Sequence, residues 1–150
     1  PVESAREMLA AVEAALPADV AVMAAAVADW RVETAPHKLK KGDGPPNLSL
    51  APNPDILATV GRSPSRPTIL VGFAAETENV VPNAAQKRER KGCDFILAND
   101  VSAGVFGSTQ NTVHVVGPDG AESWPTMSKD AVAERLVATI AQALDAKPDI

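Results

Sequence analysis

Apolar positions along this chain follow two rhythms, one helical and one strand-like, and the two alternate. From Glu3 to Leu16, the residues Met8, Leu9, Val12, Ala15 and Leu16 fall on one helical face and predict an amphipathic helix. Val20 to Val27 is an unbroken apolar run bounded by polar residues, the pattern of a strand buried on both sides. Arg31 to Pro46 turns polar, is broken by Pro36, Gly42, Gly44 and Pro45, and predicts a loop. Asn47 closes that loop, and Leu48 to Leu50 suits a short strand. In "NPDILATVGR", Asn53 suits an N-cap, Pro54 a first turn, Asp55 the helix dipole and Gly61 a stop. Thr68 to Phe73 predicts a second buried strand. Asn79 to Lys91 predicts a third helix capped by Gly92, and Asp94 to Ala98 a third strand.

The last third changes rhythm. Thr112 to Val116, the turn "GPDG" and Ala121 to Trp124 predict a β-hairpin. Ser128 suits the N-cap of a final helix with Val132, Leu136, Ile140 and Leu144 as its stripe. No repeat and no low-complexity segment interrupts the pattern. Strands alternating with helices predict one α/β domain over 1–150: a Rossmann-like parallel sheet flanked by helices, with a C-terminal hairpin and helix. Ligands of such sheets bind outside the carboxyl ends of the strands. That directs attention to Asp29–Pro46, Ala74–Asn79, Asn99–Asn111 and whatever precedes residue 1.

Composition narrows the classes. With 150 residues, 45% hydrophobic and 22% charged, the chain suits one globular domain with its own core. A net charge of −5 speaks against a general nucleic-acid binder and leaves room for a local basic site. The longest apolar run, Val20 to Ala28, is too short to cross a membrane, so no membrane partner is expected. The first residues lack a basic–apolar–small signal pattern, which makes a cytoplasmic location the default expectation. Cys93 is the only cysteine, so an internal disulfide and a multi-cysteine metal site are excluded.

Against that acidic background, "HKLKKGDGPP" puts Lys38, Lys40 and Lys41 on a loop just behind the first strand. Such ammonium groups can close over a phosphate chain, or they can be an ordinary solvated loop. Asp29, just past the strand, suits a carboxylate holding Mg²⁺ against phosphates, or an acid capping loop amides. In "VGFAAET", Gly72 permits close backbone approach, Phe73 offers a ring, and Ala74 and Ala75 leave space; by the residues alone a strand end with a packed Phe is the better reading. Lys87 and Lys91 share a helical face, where basic residues also suit a helix C-terminus. Asn99 can contact a ligand or cap a turn. There is no GxGxxG and no GxxxxGK[ST], and no His is placed to activate Cys93. The residues by themselves support only an α/β domain with room for a phosphate site.

Taken in order, "AAAVADW", "KLKK", "NPDIL", "VGFAAET", "KRERKGCDFILAND" and "FGSTQNTVHVV" resemble phosphopantothenoylcysteine synthetase, from about Glu3 to the last helix. In bacteria that family is usually the C-terminal half of a bifunctional coenzyme A biosynthesis protein, with a phosphopantothenoylcysteine decarboxylase domain fused before it. The resemblance implies a two-step ligation. CTP activates the carboxylate of 4′-phosphopantothenate as an acyl-cytidylate, and the amine of cysteine then displaces CMP. It implies that Lys38 contacts the triphosphate and the developing charge, with Lys40 and Lys41 completing the motif. By the same resemblance, Asp29 stands near the cation and triphosphate. Ala25 and the backbone of Asn53, Pro54, Asp55 and Ile56 read cytosine. Phe73 belongs to the nucleotide pocket, and Lys87 and Lys91 face the triphosphate. Asn99 is taken as a substrate contact, and a homodimer is implied.

The family also has an N-terminal strand, a Gly-rich turn and an Asn-x-Ser-Ser-Gly type motif that these 150 residues do not contain, so the expectation is a fragment of the synthetase domain. Trp30 stands where Tyr or Phe is more usual. Two other readings are weighed beside this one. The first is a nucleotide-binding or assembly module without turnover of its own. The second is a nicotinamide-dependent reductase, against which the missing GxGxxG counts.

Overall fold

The computed structural model describes residues 1–33, 48–101 and 110–147. In chain order the elements are α1 (Ala5–Ala14), β1 (Val20–Met23), β2 (Trp30–Val32), β3 (Leu50–Pro52), α2 (Ile56–Gly61), β4 (Ile69–Glu76) and α3 (Val80–Lys91). β5 (Phe95–Asp100), β6 (Gln110–Asn111), β7 (Val113–Gly117), β8 (Gly120–Ser123), β9 (Met127–Ser128) and α4 (Lys129–Asp145) follow.

One five-stranded sheet has the order β1-β4-β5-β7-β8. β1, β4 and β5 run parallel, β7 joins β5 antiparallel, and β8 joins β7 antiparallel. The sheet is therefore mixed, an α/β frame of Rossmann-like type. β2 and β3 form a separate antiparallel ribbon, with Trp30 opposite Pro52, and β6 pairs with β9.

Alternation along β4 separates two apolar cores. Leu70 and Ala74 point to one face, where they join Ile96, Ala98 and the apolar sides of α1, α2 and α3. Ile69 and Val71 point to the other, with Leu97, Val113, Trp124 and the α4 stripe of Val132, Leu136 and Ile140. Three layers result: three helices, the sheet, and α4. Leu70, Ile96 and Leu97 are fully buried, each worth about 1.5–3 kcal/mol of apolar transfer. At the amino ends of the strands, Asp94 joins distant segments. It accepts from the Leu70 amide at 2.7 Å, from Arg66 at 2.6 Å and from Lys147 at 3.0 Å.

The helix ends follow their sequence signals. Ser4 and Glu7 form a reciprocal capping box at α1, and the Ser128 hydroxyl accepts from the Ala131 amide at 3.2 Å at the start of α4. Gly92 closes α3 with φ +70, a left-handed conformation that suits glycine.

Three expectations are corrected. The strand expected over Val20 to Val27 ends at Met23 and lies at the edge of the sheet, with Val22 43% exposed. Beyond it the chain leaves the sheet, and the carbonyls of Ala28 and Asp29 bond to Asn53. The short strand expected over Leu48 to Leu50 is Leu50–Pro52, and the expected loop begins as strand β2; the Asn53 amide bond to the Asp29 carbonyl at 2.8 Å extends that pairing and sets its register. The N-cap of α2 is Asp55, not Asn53: the Asp55 side chain accepts from the Ala58 amide at 3.1 Å, while Asn53 is engaged by the strand.

Candidate functional site

Where β1 ends, the chain runs from Ala24 to Asp29 through small residues and leaves a cleft of about 490 Å³ between itself, α1, the start of α2 and one side of α3. Ala25, Asp29, Asn53, Pro54, Asp55, Ile56, Lys87 and Lys91 all line it. Eight positions singled out in the sequence thus come together beside the carboxyl end of β1, in keeping with the edge rule.

Asn53 shapes the cleft's floor. Its Nδ2 donates to the Ala28 carbonyl at 2.8 Å and its backbone amide to the Asp29 carbonyl at 2.8 Å. These bonds clamp the alanine segment to the start of α2. Arg31 supports the ribbon behind it, donating to the Pro52 carbonyl through Nη1 and to Glu33 at 2.8 Å through Nη2. A second hollow of about 520 Å³ adjoins the first across Ala26–Ala28 and reaches the start of α1 and Arg31.

The charged groups are ordered. Lys87 and Lys91, one turn apart on α3, present two cations to the cleft. Lys91 donates to Asp55 Oδ2. Burial pushes the Asp55 carboxyl up, but the Lys91 hydrogen bond, the Ala58 amide and the charges of Lys91 and Arg90 outweigh it and hold that carboxyl below its ordinary value. Asp29 is exposed at the rim.

The other positions lie elsewhere. Phe73 points to the α4 face and packs against that core, because odd-numbered residues of β4 face away from α2 and α3. Asn99 is registered opposite Ala75 and Val113 on that same face, at the carboxyl end of β5. Neither lines the cleft. Lys38, Lys40 and Lys41, with His37, lie outside the described residues. Met8 lines the cleft although the sequence places it only in the stripe of α1; no periodicity separates a core methionine from one at a cleft wall.

Among the described residues no group of three His, Cys, Asp or Glu side chains is arranged to hold a metal ion. The cleft has two carboxylates, of which Asp55 is engaged. That donor set suits a Mg²⁺ carried mainly by phosphate oxygens with Asp29 beside it, the usual manner for Mg²⁺, and not an all-protein cage. Among the described residues no helix is long and apolar enough to cross a membrane.

Comparison with known proteins agrees with this architecture. The family model described as DNA/pantothenate metabolism flavoprotein C-terminal domain matches residues 1–144. The coenzyme A biosynthesis bifunctional protein CoaBC of Haemophilus influenzae is 42% identical over 137 residues, which cover 89% of this chain and 34% of that protein. The chain thus spans about a third of the length of the curated relatives it matches. The crystal structure of the C-terminal domain of a CoaBC protein superposes with a TM-score of 0.78 at 32% identity, over 97% of this chain and 65% of that one. A Cab2 mutant in complex with phosphopantothenate-cysteine gives a TM-score of 0.59 at 18% identity, over 80% of this chain and 43% of that one, a likeness of fold alone.

Proposed function

The chain belongs to the DNA/pantothenate metabolism flavoprotein C-terminal domain family, and we propose that it forms part of a phosphopantothenate–cysteine ligase of coenzyme A biosynthesis, with the cleft as its CTP site. The observation that carries the reading is the meeting of Ala25, Asn53–Ile56, Lys87 and Lys91 around one hollow at the strand edge. CoaBC relatives at about 40% identity support the pathway.

The chemistry follows from the residues. The alanine segment leaves a flat, shallow wall for a pyrimidine ring, and backbone groups of Ala25 and Asn53 to Ile56 read its edge. Lys87 and Lys91 neutralise the phosphates. Lys38, with Lys40 and Lys41, is assigned the triphosphate and its developing charge on the resemblance of the KLKK motif. Asp29 would hold a Mg²⁺ there, which would supply Lewis-acid charge neutralisation. A carboxylate oxygen of 4′-phosphopantothenate forms a bond to the α-phosphorus of CTP, and the bond to pyrophosphate breaks. The amine of cysteine then attacks the acyl carbon of that cytidylate, CMP leaves with the bonding electrons, and the nitrogen loses a proton to give the amide. Positioning and charge neutralisation suffice for both displacements.

On this reading Asn99 meets the substrate from the far end of the strand edge, and Phe73 contributes to packing behind the site. The natural protein would be a homodimer acting on soluble metabolites in the cytoplasm, with a decarboxylase domain fused to it.

Calorimetric titration with CTP and Mg²⁺, with ATP as control, tests the proposal. CTP binding without ATP binding supports it; equal binding of both, or of neither by the complete natural protein, overturns it. CTP binding without any ligation by the complete protein would favour the binding-module reading.

A further inference from the structure

Lys91 runs the length of α2. At one end its backbone carbonyl meets Gly61: a Cβ built on Gly61 would sit 2.0 Å from that oxygen. At the other end its Nζ donates to Asp55 at the N-cap of the same helix. A helix of six residues is about 9 Å long at roughly 1.5 Å per residue. The lysine stem covers most of that length and is itself covered, its side chain 15% exposed. Asp55 is tied in turn. Its Oδ1 accepts from the Ala58 amide at 3.1 Å, and its carbonyl accepts from the Thr59 hydroxyl at 2.8 Å.

We propose that Asp55 is a positioning residue: one carboxylate caps the helix that walls the cleft and holds the Lys91 ammonium at the cleft's mouth, so that wall and cation keep one register. The inference rests on the nucleotide reading of the cleft and deepens it. A free lysine side chain has a large rotamer entropy to lose when it meets an anion. Here that ordering is done before the ligand arrives, and two of the three ammonium protons remain for phosphate oxygens. The Asp55 charge opposes an incoming anion, so the benefit lies in order and not in net charge.

The test is a double-mutant cycle in the complete natural protein, reading dissociation constants for CTP with Mg²⁺ and for inorganic tripolyphosphate. Asp55→Asn keeps an acceptor for the Ala58 amide and removes the charge that holds Lys91. It is expected to weaken CTP about tenfold with little change in melting temperature. In a Lys91→Gln background the same change is expected to have no further effect, because its route is gone. Equal weakening in both backgrounds, no weakening, or tighter binding by Asp55→Asn overturns the positioning role. Coupling seen with tripolyphosphate while CTP shows no preference over ATP upholds the positioning role and overturns the cytosine reading. Wild-type protein that binds neither ligand overturns both.

Discussion

Asn53 and Ala28 stand 25 residues apart in sequence and are joined at 2.8 Å, side-chain amide to backbone carbonyl, across the floor of the cleft. With the Asn53 backbone bond to Asp29, this contact turns the chain out of the sheet after β1 and makes a hollow where the sequence pattern expects more strand.

Asn53→Ala is expected to reduce stability by about 1 kcal/mol, the net worth of one such hydrogen bond. The loss of nucleotide affinity should be larger than that stability change implies, because the alanine wall loses its anchor. Denaturant unfolding and CTP titration of the same variant check the split; loss of stability with unchanged affinity would assign the bond to folding alone.

Gly61→Ala and Gly72→Ala should differ in severity. A Cβ at Gly72 meets the ends of two flexible side chains, Leu57 at 2.6 Å and Ile96 at 2.8 Å. Repacking should limit the cost to about 1–3 kcal/mol. At Gly61 the new carbon meets the Lys91 backbone carbonyl at 2.0 Å, so α2 and α3 must separate. The expected order of melting temperatures is wild type, Gly72→Ala, Gly61→Ala, with only the last also displacing Lys91 from Asp55.

Asp94 should make stability fall in acid. Burial pushes its carboxyl up, but the Leu70 amide, Lys147 and Arg66 together hold it below its ordinary value in the folded chain. A carboxyl depressed by folding contributes stability above its unfolded pKa and loses it as pH falls through the folded one. Asp94→Asn is therefore expected to be less stable than wild type by about 2 kcal/mol at neutral pH, and the gap should close as pH drops below the carboxylate range. Melting curves from neutral pH downward read this directly; a gap that stays constant with pH would remove the charge from the account.

On the proposed reading, Lys87→Gln should weaken CTP and flatten the salt dependence of its binding, since one cation lining the cleft is removed, while the melting temperature stays close to wild type. Titrations at two salt concentrations distinguish this from a loss of fold.

Lys38→Ala, motivated by the "KLKK" cluster, should lower ligation strongly without loss of fold. Near-normal turnover of this variant in the complete natural protein would contradict the ligase reading.

Most elements were legible because their signals are local. The stripe of Met8, Leu9 and Val12 announces α1, Gly92 ends α3, and the GPDG turn and Ser128 mark the hairpin and α4. The misreadings cluster where a long-range bond competes with a local rule. Asn53 has the composition of an N-cap, yet its partners are 24 and 25 residues upstream, and the cap passes to Asp55. The run after Met23 is apolar enough for a strand, but hydropathy carries no information about which carbonyls are taken elsewhere. Within the cleft, the lysine spacing on α3 was readable from helical geometry. The Asp55–Lys91 pair was not, because nothing in a linear pattern links positions 36 apart. The placement of Phe73 shows the limit of motif reading. A motif gives order along the chain, while strand alternation decides the face.

The division of the sheet into two faces has an evolutionary consequence. Substitutions among Val132, Leu136, Ile140 and their partners touch only the α4 core, whereas those among Ile56, Leu57 and Ala84 touch the helices that wall the cleft. A lineage can repack the first set in pairs for heat or cold while the cleft wall stays as it is. On the proposed reading, changes in ligand choice come through the second set, with Asn99 the exception on the α4 face. A deep mutational library should therefore separate into two populations: one sorted by expression level and one by turnover.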